Sequence, residues 1–332
     1  MVNFKEITIP EDHIGRRLDR FLRHFFSDLS QADLEKLLRS KMLRLNGQKA
    51  KTDTRITDDA VLRYPDFLVL NEYSISDNST SVSFPREIIL YEDGDLMVIN
   101  KPHGLASQGG SNMKIHLDML LETLPKRNGY RPSTVHRLDK DTSGCLVIAK
   151  KRTIAAKLGE ALKERQFKKY YLAITESVPY EGCGVIENFV AKSQTGKQDS
   201  MNIVSSDTPK AQFAKSLYYV TSHNSDHDKA LLLMAPITGR THQLRLHCQS
   251  LDCSIVGDGK YNNDSALKTK LCLHAAKIIF EHPTTEKMIE IDAPIPEHFR
   301  KTADKYQLSL KNPVSYENKE MIQQLLKPLP IL

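Results

Sequence analysis

A polar, serine-rich segment divides this chain in two, and it constrains the fold more than any other feature of the sequence. Residues 71–83 read Asn-Glu-Tyr-Ser-Ile-Ser-Asp-Asn-Ser-Thr-Ser-Val-Ser and show neither helical nor strand periodicity. Such a composition is typical of a flexible linker, and 332 residues suffice for about two domains. The sequence predicts an N-terminal domain over 1–70, a linker over 71–84, a second domain over 85–305 and a C-terminal extension over 306–332.

The net positive charge of the chain is concentrated in the first of these domains. Between Arg16 and Arg55 there are 11 basic and 5 acidic residues, a surplus of six that equals the net charge of the whole chain. A basic module of this size is the electrostatic pattern expected for a polyanionic partner.

The same module has the pattern of two helices followed by a hairpin. Apolar residues recur at helical spacing over 16–26, and Ser30 with Asp33 gives a capping signature for a second helix that ends near Lys41. Strand-like alternation at 43–45 precedes Asn46-Gly47, a hairpin signal, and a short strand follows at 61–64. This order resembles the S-four-type RNA-binding domain of ribosomal proteins and RNA enzymes, a small α/β domain. The alternative is a helical hairpin with a solvated charged face.

In the second domain, hairpin patterns outnumber β-α-β patterns, so we expect an α+β domain with a mixed, mainly antiparallel sheet. Short apolar runs predict strands at 88–91, 96–100, 135–138, 145–149, 171–174 and 231–234. Helical patterns cover 153–167, 241–251 and 318–326.

The segment 136–144 concentrates chemistry between two apolar runs. It reads His-Arg-Leu-Asp-Lys-Asp-Thr-Ser-Gly, and functional residues often lie on loops held by rigid strands. One alternative is a merely polar hairpin loop. Another is a magnesium site of a nuclease, formed by Asp139 and Asp141, but Lys140 intervenes and no Glu/His set accompanies them at ligand spacing.

This segment also resembles the signature His-Arg-Leu-Asp-x-x-Thr-Ser-Gly of the RluA family of RNA pseudouridine synthases. Further blocks match the family in the same order: Asn-Lys-Pro at 100–102, Lys-Tyr-Tyr-Leu-Ala at 169–173, Thr-Gly-Arg-Thr-His-Gln-Leu-Arg-Leu-His at 238–247, Gly-Asp at 257–258 with Tyr261, Leu-His-Ala at 273–275 and His-Pro at 282–283. The resemblance covers about 16–300 and is strongest for the branch that modifies large-subunit ribosomal RNA. It implies the pseudouridine synthase fold and the isomerisation of specific uridines in 23S ribosomal RNA.

The resemblance also implies residue roles. Asp139 is expected to be the catalytic aspartate, Arg245 its basic partner, Tyr171 the ring that stacks on a flipped uracil, and Arg137 the group that fills the gap left in the RNA. The carboxylate must stay ionised in a pocket that has lost water, and a close cation favours this. Whether it attacks the ribose, adds to the base or takes a proton from the sugar stays open.

Two further residues, His136 and Leu244, are expected to support the site, although a purely structural role for His136 is equally compatible with the pattern. No cofactor is expected, because the isomerisation gains no atoms and involves no redox change, and because the sequence has no glycine-rich phosphate loop. A zinc site from His242, His247, Cys248 and Cys253 is disfavoured, because histidines five residues apart on a helix point in different directions.

The remaining features bear on location and partners. No apolar run approaches the roughly 20 residues of a membrane span, the N-terminal residues lack the apolar core of a signal peptide, and five scattered cysteines suit a reducing cytosol. We expect a cytoplasmic monomer whose partner is ribosomal RNA, without a membrane or nucleotide cofactor. A non-catalytic RNA-binding or ribosome-assembly factor and a metal-dependent nuclease are the alternatives, and the intact Asp139 disfavours the former.

Overall fold

A computed structural model describes residues 3–9, 13–26, 29–68, 83–109, 115–126, 129–193, 200–262 and 269–324. The chain divides into two compact units, Met1–Val82 with Asn128–Tyr130, and Ser83–Arg127 with Arg131–Leu332. The predicted linker, 71–84, lies outside the described residues except for its last two. In the described part of the chain, no helix is both long and apolar enough to cross a membrane.

The first unit is a small sheet with two helices. Its elements are β1 (Phe4–Thr8), α1 (Leu18–Phe25), α2 (Gln31–Arg39), β2 (Arg44–Leu45) and β3 (Val61–Pro65), with the strands in the antiparallel order β1-β3-β2. The capping box predicted for α2 is present, because Ser30 Oγ accepts from the Asp33 backbone N–H and the Asp33 carboxylate accepts from the Ser30 N–H. Apolar side chains from both helices and the sheet form one core, including Leu18, Phe21, Leu34 and Leu62.

The predicted hairpin turn follows β2. Asn46 and Gly47 both have positive φ, 51° and 71°, and Leu45 and Gln48 exchange two backbone hydrogen bonds of 3.1 and 2.9 Å. These are the properties of a type I′ turn, for which Asn-Gly is the preferred dipeptide.

In the second unit the described residues form an 11-stranded sheet. Its strands are β4 (Ile89–Glu92), β5 (Leu96–Lys101), β6 (Ser133–Thr134), β7 (Ser143–Ala149), β8 (Lys168–Thr175), β9 (Cys183–Lys192), β10 (Met201–Val204), β11 (Gln212–Asn224), β12 (Lys229–Pro236), β13 (Leu273–Glu281) and β14 (Met288–Asp292). The order is β10-β9-β11-β12-β8-β13-β7-β5-β4, with β6 on β7 and β14 on β13. Of the described pairs, β7 and β13 are parallel and the others antiparallel, which confirms the predicted mixed, mainly antiparallel sheet.

Helices cover this sheet. They are α3 (Leu117–Glu122), α4 (Arg152–Lys163), α5 (Gln243–Ser250), α6 (Glu297–Lys305) and α7 (Tyr316–Gln324), with a 3-10 turn at Arg86–Ile88. Ile154 and Leu158 of α4 pack with β7. Phe299 of α6 and Ile322 of α7 share a core with β8 and β12, so the described part of the C-terminal extension packs within the second unit.

The structure corrects two predicted elements. The strand predicted at 135–138 is irregular, because the Val147 N–H that such a strand would pair donates instead to the His136 side chain, Nε2, at 3.1 Å. The helix predicted over 153–167 ends earlier, at Lys163. After it, Arg165 adopts a φ of 61° and the Gln166 N–H donates to the Ala161 carbonyl, which is the pattern of a Schellman motif.

The predicted helices 241–251 and 318–326 correspond to α5 and α7, and residues beyond 324 lie outside the described part.

Candidate active site

A cavity of about 620 Å³ lies where the loop after β6, the end of α4, β8 and the start of α5 meet. Polar and apolar groups both line it. It brings together every site residue predicted from the sequence, namely His136, Arg137, Asp139, Tyr171, Leu244 and Arg245.

The loop before β7 owes its shape to anchors at alternate residues. His136 accepts from Val147 N–H, Leu138 exchanges hydrogen bonds of 2.8 and 3.2 Å between its backbone and Ser107 Oγ, and the Lys140 carbonyl accepts from a buried lysine described below. Arg137 and Asp139, which lie between these anchors, line the cavity. Arg137 is exposed, so its guanidinium is available at the surface.

The lysine is Lys101, at the end of β5, and its side chain is fully buried. Its Nζ donates to the carbonyl oxygens of Leu105, Lys140 and Pro102 at 2.7, 3.0 and 3.1 Å. Burial lowers the pKa of Lys101 to about 7, against the charges of Asp141 and Asp139, while three carbonyl acceptors favour the ammonium form. Lys101 therefore fixes the 136–144 loop to β5.

His136 is a neutral anchor rather than a charged contact. Burial, followed by the charge of Lys169, lowers the pKa of His136 to about 3. A backbone N–H donates to its Nε2, which requires a lone pair on that nitrogen and places the proton on Nδ1.

The glycine that ends the loop, Gly144, is required by the sheet. Its φ is 111°, and a Cβ there would lie 2.2 Å from the Ala275 carbonyl oxygen of the parallel neighbour β13. The adjacent Ser143 hydroxyl bonds to His274 Nδ1 at 2.9 Å. The Ser-Gly pair therefore sets how closely β7 and β13 approach.

Asp139 is the accessible carboxylate of the cavity, with 19% of its side chain exposed. Its Oδ2 lies 3.9 Å from His242 Nε2 and 4.0 Å from Arg245 Nη1. Both separations exceed hydrogen-bonding distance, so the imidazole and the guanidinium flank the carboxylate without direct hydrogen bonds to it. The guanidinium therefore places a positive charge next to the carboxylate.

Arg245 is held rigidly on its other side. Its Nε and Nη2 donate to the two carboxylate oxygens of Asp258 at 2.7 and 2.5 Å, and its guanidinium lies 4.9 Å from the ring centre of Tyr261. Burial lowers the pKa of Arg245, but the hydrogen bond and charge of Asp258, with the charge of Asp139, outweigh it and raise the pKa. A bidentate pair of this kind fixes both position and charge, and leaves Nη1 near Asp139.

Tyr171 on β8 lines the cavity, whereas its neighbour Tyr170 is buried with 2% exposure. The two point to opposite faces because side chains alternate along a strand. Burial, then the negative charge of Asp139, raises the pKa of Tyr171. The phenol is therefore neutral, and its ring is available to a planar ligand.

Comparisons with known proteins find relatives of this chain. The model of the family "RNA pseudouridylate synthase" matches residues 95–250. A "Ribosomal large subunit pseudouridine synthase C" of Rickettsia typhi is 35% identical over 298 residues, 85% of this chain and 95% of the relative. Another, of Rickettsia prowazekii, is 35% identical over 309 residues, 89% and 97% of the two chains. The chain belongs to the RNA pseudouridine synthase family.

A solved structure agrees in fold with this pseudouridine synthase. "Human RNA Pseudouridylate Synthase Domain Containing 4" superposes with a TM-score of 0.57 at 30% identity, covering 68% of this chain and 95% of that one. The family and fold predicted from the motifs are thereby confirmed. The synthase is an isomerase of uridine in RNA.

Some contributors to the site were not assigned a role from the sequence. Lys101, Asp258 and Tyr261 were identified only as parts of motifs. His242 was identified as part of the block at 238–247 and as an unlikely zinc ligand. Asp258 lies 13 residues after Arg245, beyond the end of α5, where no periodic pattern links the two. Two cationic residues at the cavity, Lys163 and Arg165, were not identified, and Arg240 was identified only as part of the block at 238–247.

No metal-ligand cluster is formed by the described residues of the synthase, if a cluster is taken as three or more His, Cys, Asp or Glu side chains placed to hold one ion. Asp141, the second aspartate of the loop, is 48% exposed and lies 3.9 Å from His103 Nε2. The two loop aspartates therefore have different neighbours, which makes them a useful pair for mutation.

Proposed function

We propose that this synthase converts specific uridines in 23S ribosomal RNA of the large ribosomal subunit to pseudouridine, with Asp139 as the catalytic carboxylate. The names of its relatives, ribosomal large subunit pseudouridine synthases, support the substrate class. The observation that carries the proposal is the placement of Asp139, which is accessible in a cavity, lies 4.0 Å from the immobilised Arg245 and shares the cavity with Tyr171.

The chemistry requires an ionised carboxylate next to the ribose and base. The bond between N1 and C1′ breaks, the uracil rotates, and a bond forms between C5 and C1′; the C5 proton is lost and N1 gains one. Attack on the ribose, addition to the ring and abstraction of a sugar proton all need the anion. Arg245, charged and held by Asp258, places a positive charge 4.0 Å from Asp139 Oδ2.

The target uridine must leave the RNA stack to reach this carboxylate. A cavity of about 620 Å³ has the size of a small-ligand site and suits a single extruded nucleoside. Tyr171 then stacks on the uracil, and the exposed, planar guanidinium of Arg137 occupies the gap in the RNA.

The RNA phosphates on either side of the target uridine are expected to bind cationic side chains of the cavity. Lys163, Arg165 and Arg240 line the cavity and are placed to neutralise backbone charge, a contribution that holds RNA without reading its sequence. The six surplus positive charges of the N-terminal region are proposed to add to RNA affinity in the manner of an S-four-type domain.

The test uses transcripts of 23S and 16S ribosomal RNA whose uridines carry tritium at C5. We expect the full-length protein to release tritium from 23S RNA fragments, equally with and without a chelator. Release from 16S RNA alone would overturn the substrate assignment. RNA binding with no release from any transcript would favour the binding-factor alternative, and chelator-sensitive strand cleavage would favour a nuclease.

A further inference from the structure

His242 is a second titratable side chain beside Asp139, and the proposed function leaves it without a role. Its Nε2 lies 3.9 Å from Asp139 Oδ2, it lines the same cavity, and its side chain is 8% exposed. The reaction, in turn, contains a step to which no group has been assigned.

That step follows the formation of the C5–C1′ bond. At that point C5 carries both the ribose and its original hydrogen, and the ring has an N1=C6 double bond. The product requires that C5 lose this hydrogen as a proton and that N1 gain a proton. C5 and N1 are both bonded to C6, so one side chain at this edge of the ring can reach both.

We propose that His242 performs this proton transfer: its Nε2 accepts the C5 proton and returns a proton to N1. The C5–H electron pair becomes the C5=C6 double bond, and the N1=C6 π electrons become the N1 lone pair that takes the proton from Nε2. Atoms and charge balance without a co-reactant, and His242 ends neutral. The inference rests on the proposed function, because it assigns one step of that reaction.

The surroundings of His242 fix which nitrogen faces the substrate. Its Nδ1 lies 2.6 Å from Tyr261 Oη, which also accepts from the Met201 backbone N–H at 2.9 Å. We assign the Nδ1–H tautomer, in which the phenol oxygen accepts both hydrogen bonds and Nε2 keeps its lone pair. Tyr261 thereby leaves Nε2 as the nitrogen available on the cavity side.

The backbone conformation of His242 is one that residues other than glycine rarely adopt. Its φ is 56° and its ψ 18°, the left-handed region, immediately before α5. A non-glycine residue held there carries strain that persists only when its surroundings determine it. In this conformation the imidazole Nε2 lies 3.9 Å from Asp139 Oδ2.

The charge state suits a proton acceptor. Burial lowers the pKa of His242; Arg245 and Lys260 lower it further, whereas Asp139 and Asp258 act in the opposite direction without outweighing them. His242 is therefore neutral at pH 7. Once it takes the C5 proton, the imidazolium lies beside the Asp139 carboxylate, which stabilises it.

The experiment uses His242→Asn, because asparagine tolerates the left-handed conformation. Turnover is measured on 23S RNA that carries hydrogen or deuterium at uridine C5. We expect kcat to fall about 10²–10⁴-fold with little change in KM, and the C5 isotope effect on kcat to rise above that of the parent. If His242 had only a structural role, its replacement would lower kcat but leave the C5 isotope effect at the parental value.

A second variant, His242→Gly, opens space at the same backbone conformation, and we expect imidazole in the buffer to restore part of its turnover. The control is His223→Asn, at an exposed histidine of β11, which should keep the parental rate and isotope effect. An unchanged isotope effect together with no imidazole rescue would overturn the role of His242, as would parental activity. The proposed function fails separately, if the parent releases no tritium from 23S RNA.

Discussion

At the residue scale, the site depends on an arginine that serves two carboxylates. Asp258 holds Arg245 by two hydrogen bonds, and Arg245 in turn lies 4.0 Å from Asp139. The side chain of Asp258 is 1% exposed and that of Asp139 is 19% exposed. The buried Asp258 therefore positions the guanidinium, and the accessible Asp139 is available to substrate.

Replacing Asp258 should disturb catalysis through Arg245. For Asp258→Asn we expect kcat on 23S RNA to fall about 10²-fold, because the guanidinium loses its fixed position. The free energy of unfolding should fall by about 3 kcal/mol, because one partner of a buried ion pair is lost. Tritium release and urea unfolding measure the two. The control is Glu187→Gln, which breaks the half-exposed 2.7 Å pair with Lys215 and should cost less than about 1 kcal/mol. Parental kcat in a folded Asp258→Asn protein would contradict this positioning role.

Arg137 should matter only where the target uridine must be unstacked. For Arg137→Met we expect a higher KM on RNA whose target lies within a stacked stem, and a nearly parental KM on RNA whose target is already bulged. Lys140→Met, at another exposed cation of the same loop, is the matched control for lost charge. Equal effects of Arg137→Met on both substrates, or of both variants on the stem, would reject the gap-filling role.

At the element scale, Lys101 holds the 136–144 loop to β5. In Lys101→Met, the Leu105, Lys140 and Pro102 carbonyl oxygens lose their donor, so we expect the free energy of unfolding to fall by about 2–4 kcal/mol and turnover to fall with it. Chemical denaturation measures the free energy of unfolding. Lys151→Met is the control, because Lys151 is 47% exposed beside Asp95 and should contribute under about 1 kcal/mol. A stability loss no larger than that of the control would show that Lys101 does not anchor the loop.

The elements also show which sequence signals were informative. The Ser30–Asp33 capping box and the Asn46-Gly47 turn were predicted correctly, because each is a local motif with its own hydrogen bonds. One helix end was predicted wrongly. The helix α4 ends at Lys163, and Arg165 instead of a glycine adopts the left-handed conformation after it, so the usual glycine signal is missing.

The strands β9–β11 were not predicted, since their residues mix glycine, asparagine and charges among the apolar positions. Tertiary pairing, which no local pattern encodes, organises them.

The candidate site was predicted only in part, because local motifs contain some of its residues and tertiary contacts supply the rest. A contiguous motif supplied Arg137 and Asp139, and two short blocks supplied Tyr171 and Arg245, all of which line one cavity. The contact of Arg245 with Asp258 and the orientation of His242 by Tyr261 depend on the irregular chain after α5. Only the folded structure brings these side chains together.

At the scale of the whole molecule, buried histidines should make the fold sensitive to acid. Burial lowers the pKa of His136 to about 3 and of His247 and His274 to about 4. At pH values between these pKa values and about 6.5, the histidines bind protons in the unfolded chain but not in the folded chain. The free energy of unfolding therefore falls as the pH decreases. Each such histidine contributes up to about 1.4 kcal/mol per pH unit in that range.

His247 allows this to be tested by one substitution. Neither of its ring nitrogens has a hydrogen-bond partner in the described part of the chain, and the residue is fully buried. For His247→Leu we expect the free energy of unfolding at pH 7 to stay within about 1 kcal/mol of the parent, because no hydrogen bond is lost. Its decrease from pH 6.5 to 4.5 should be shallower. The exposed control His223→Leu should keep the parental slope, and an equally steep decrease in His247→Leu would contradict the role of burial.

The central claim is that Asp139, and not its neighbour in the same loop, is the reacting carboxylate. The most direct measurement compares Asp139→Asn with Asp141→Asn, each assayed for binding to 23S RNA and for tritium release from uridine C5. We predict that both variants bind RNA within about threefold of the parent, a change of well under 1 kcal/mol, that Asp141→Asn retains turnover and that Asp139→Asn releases no tritium. Parental release by Asp139→Asn, or equal losses in both variants, would contradict the account.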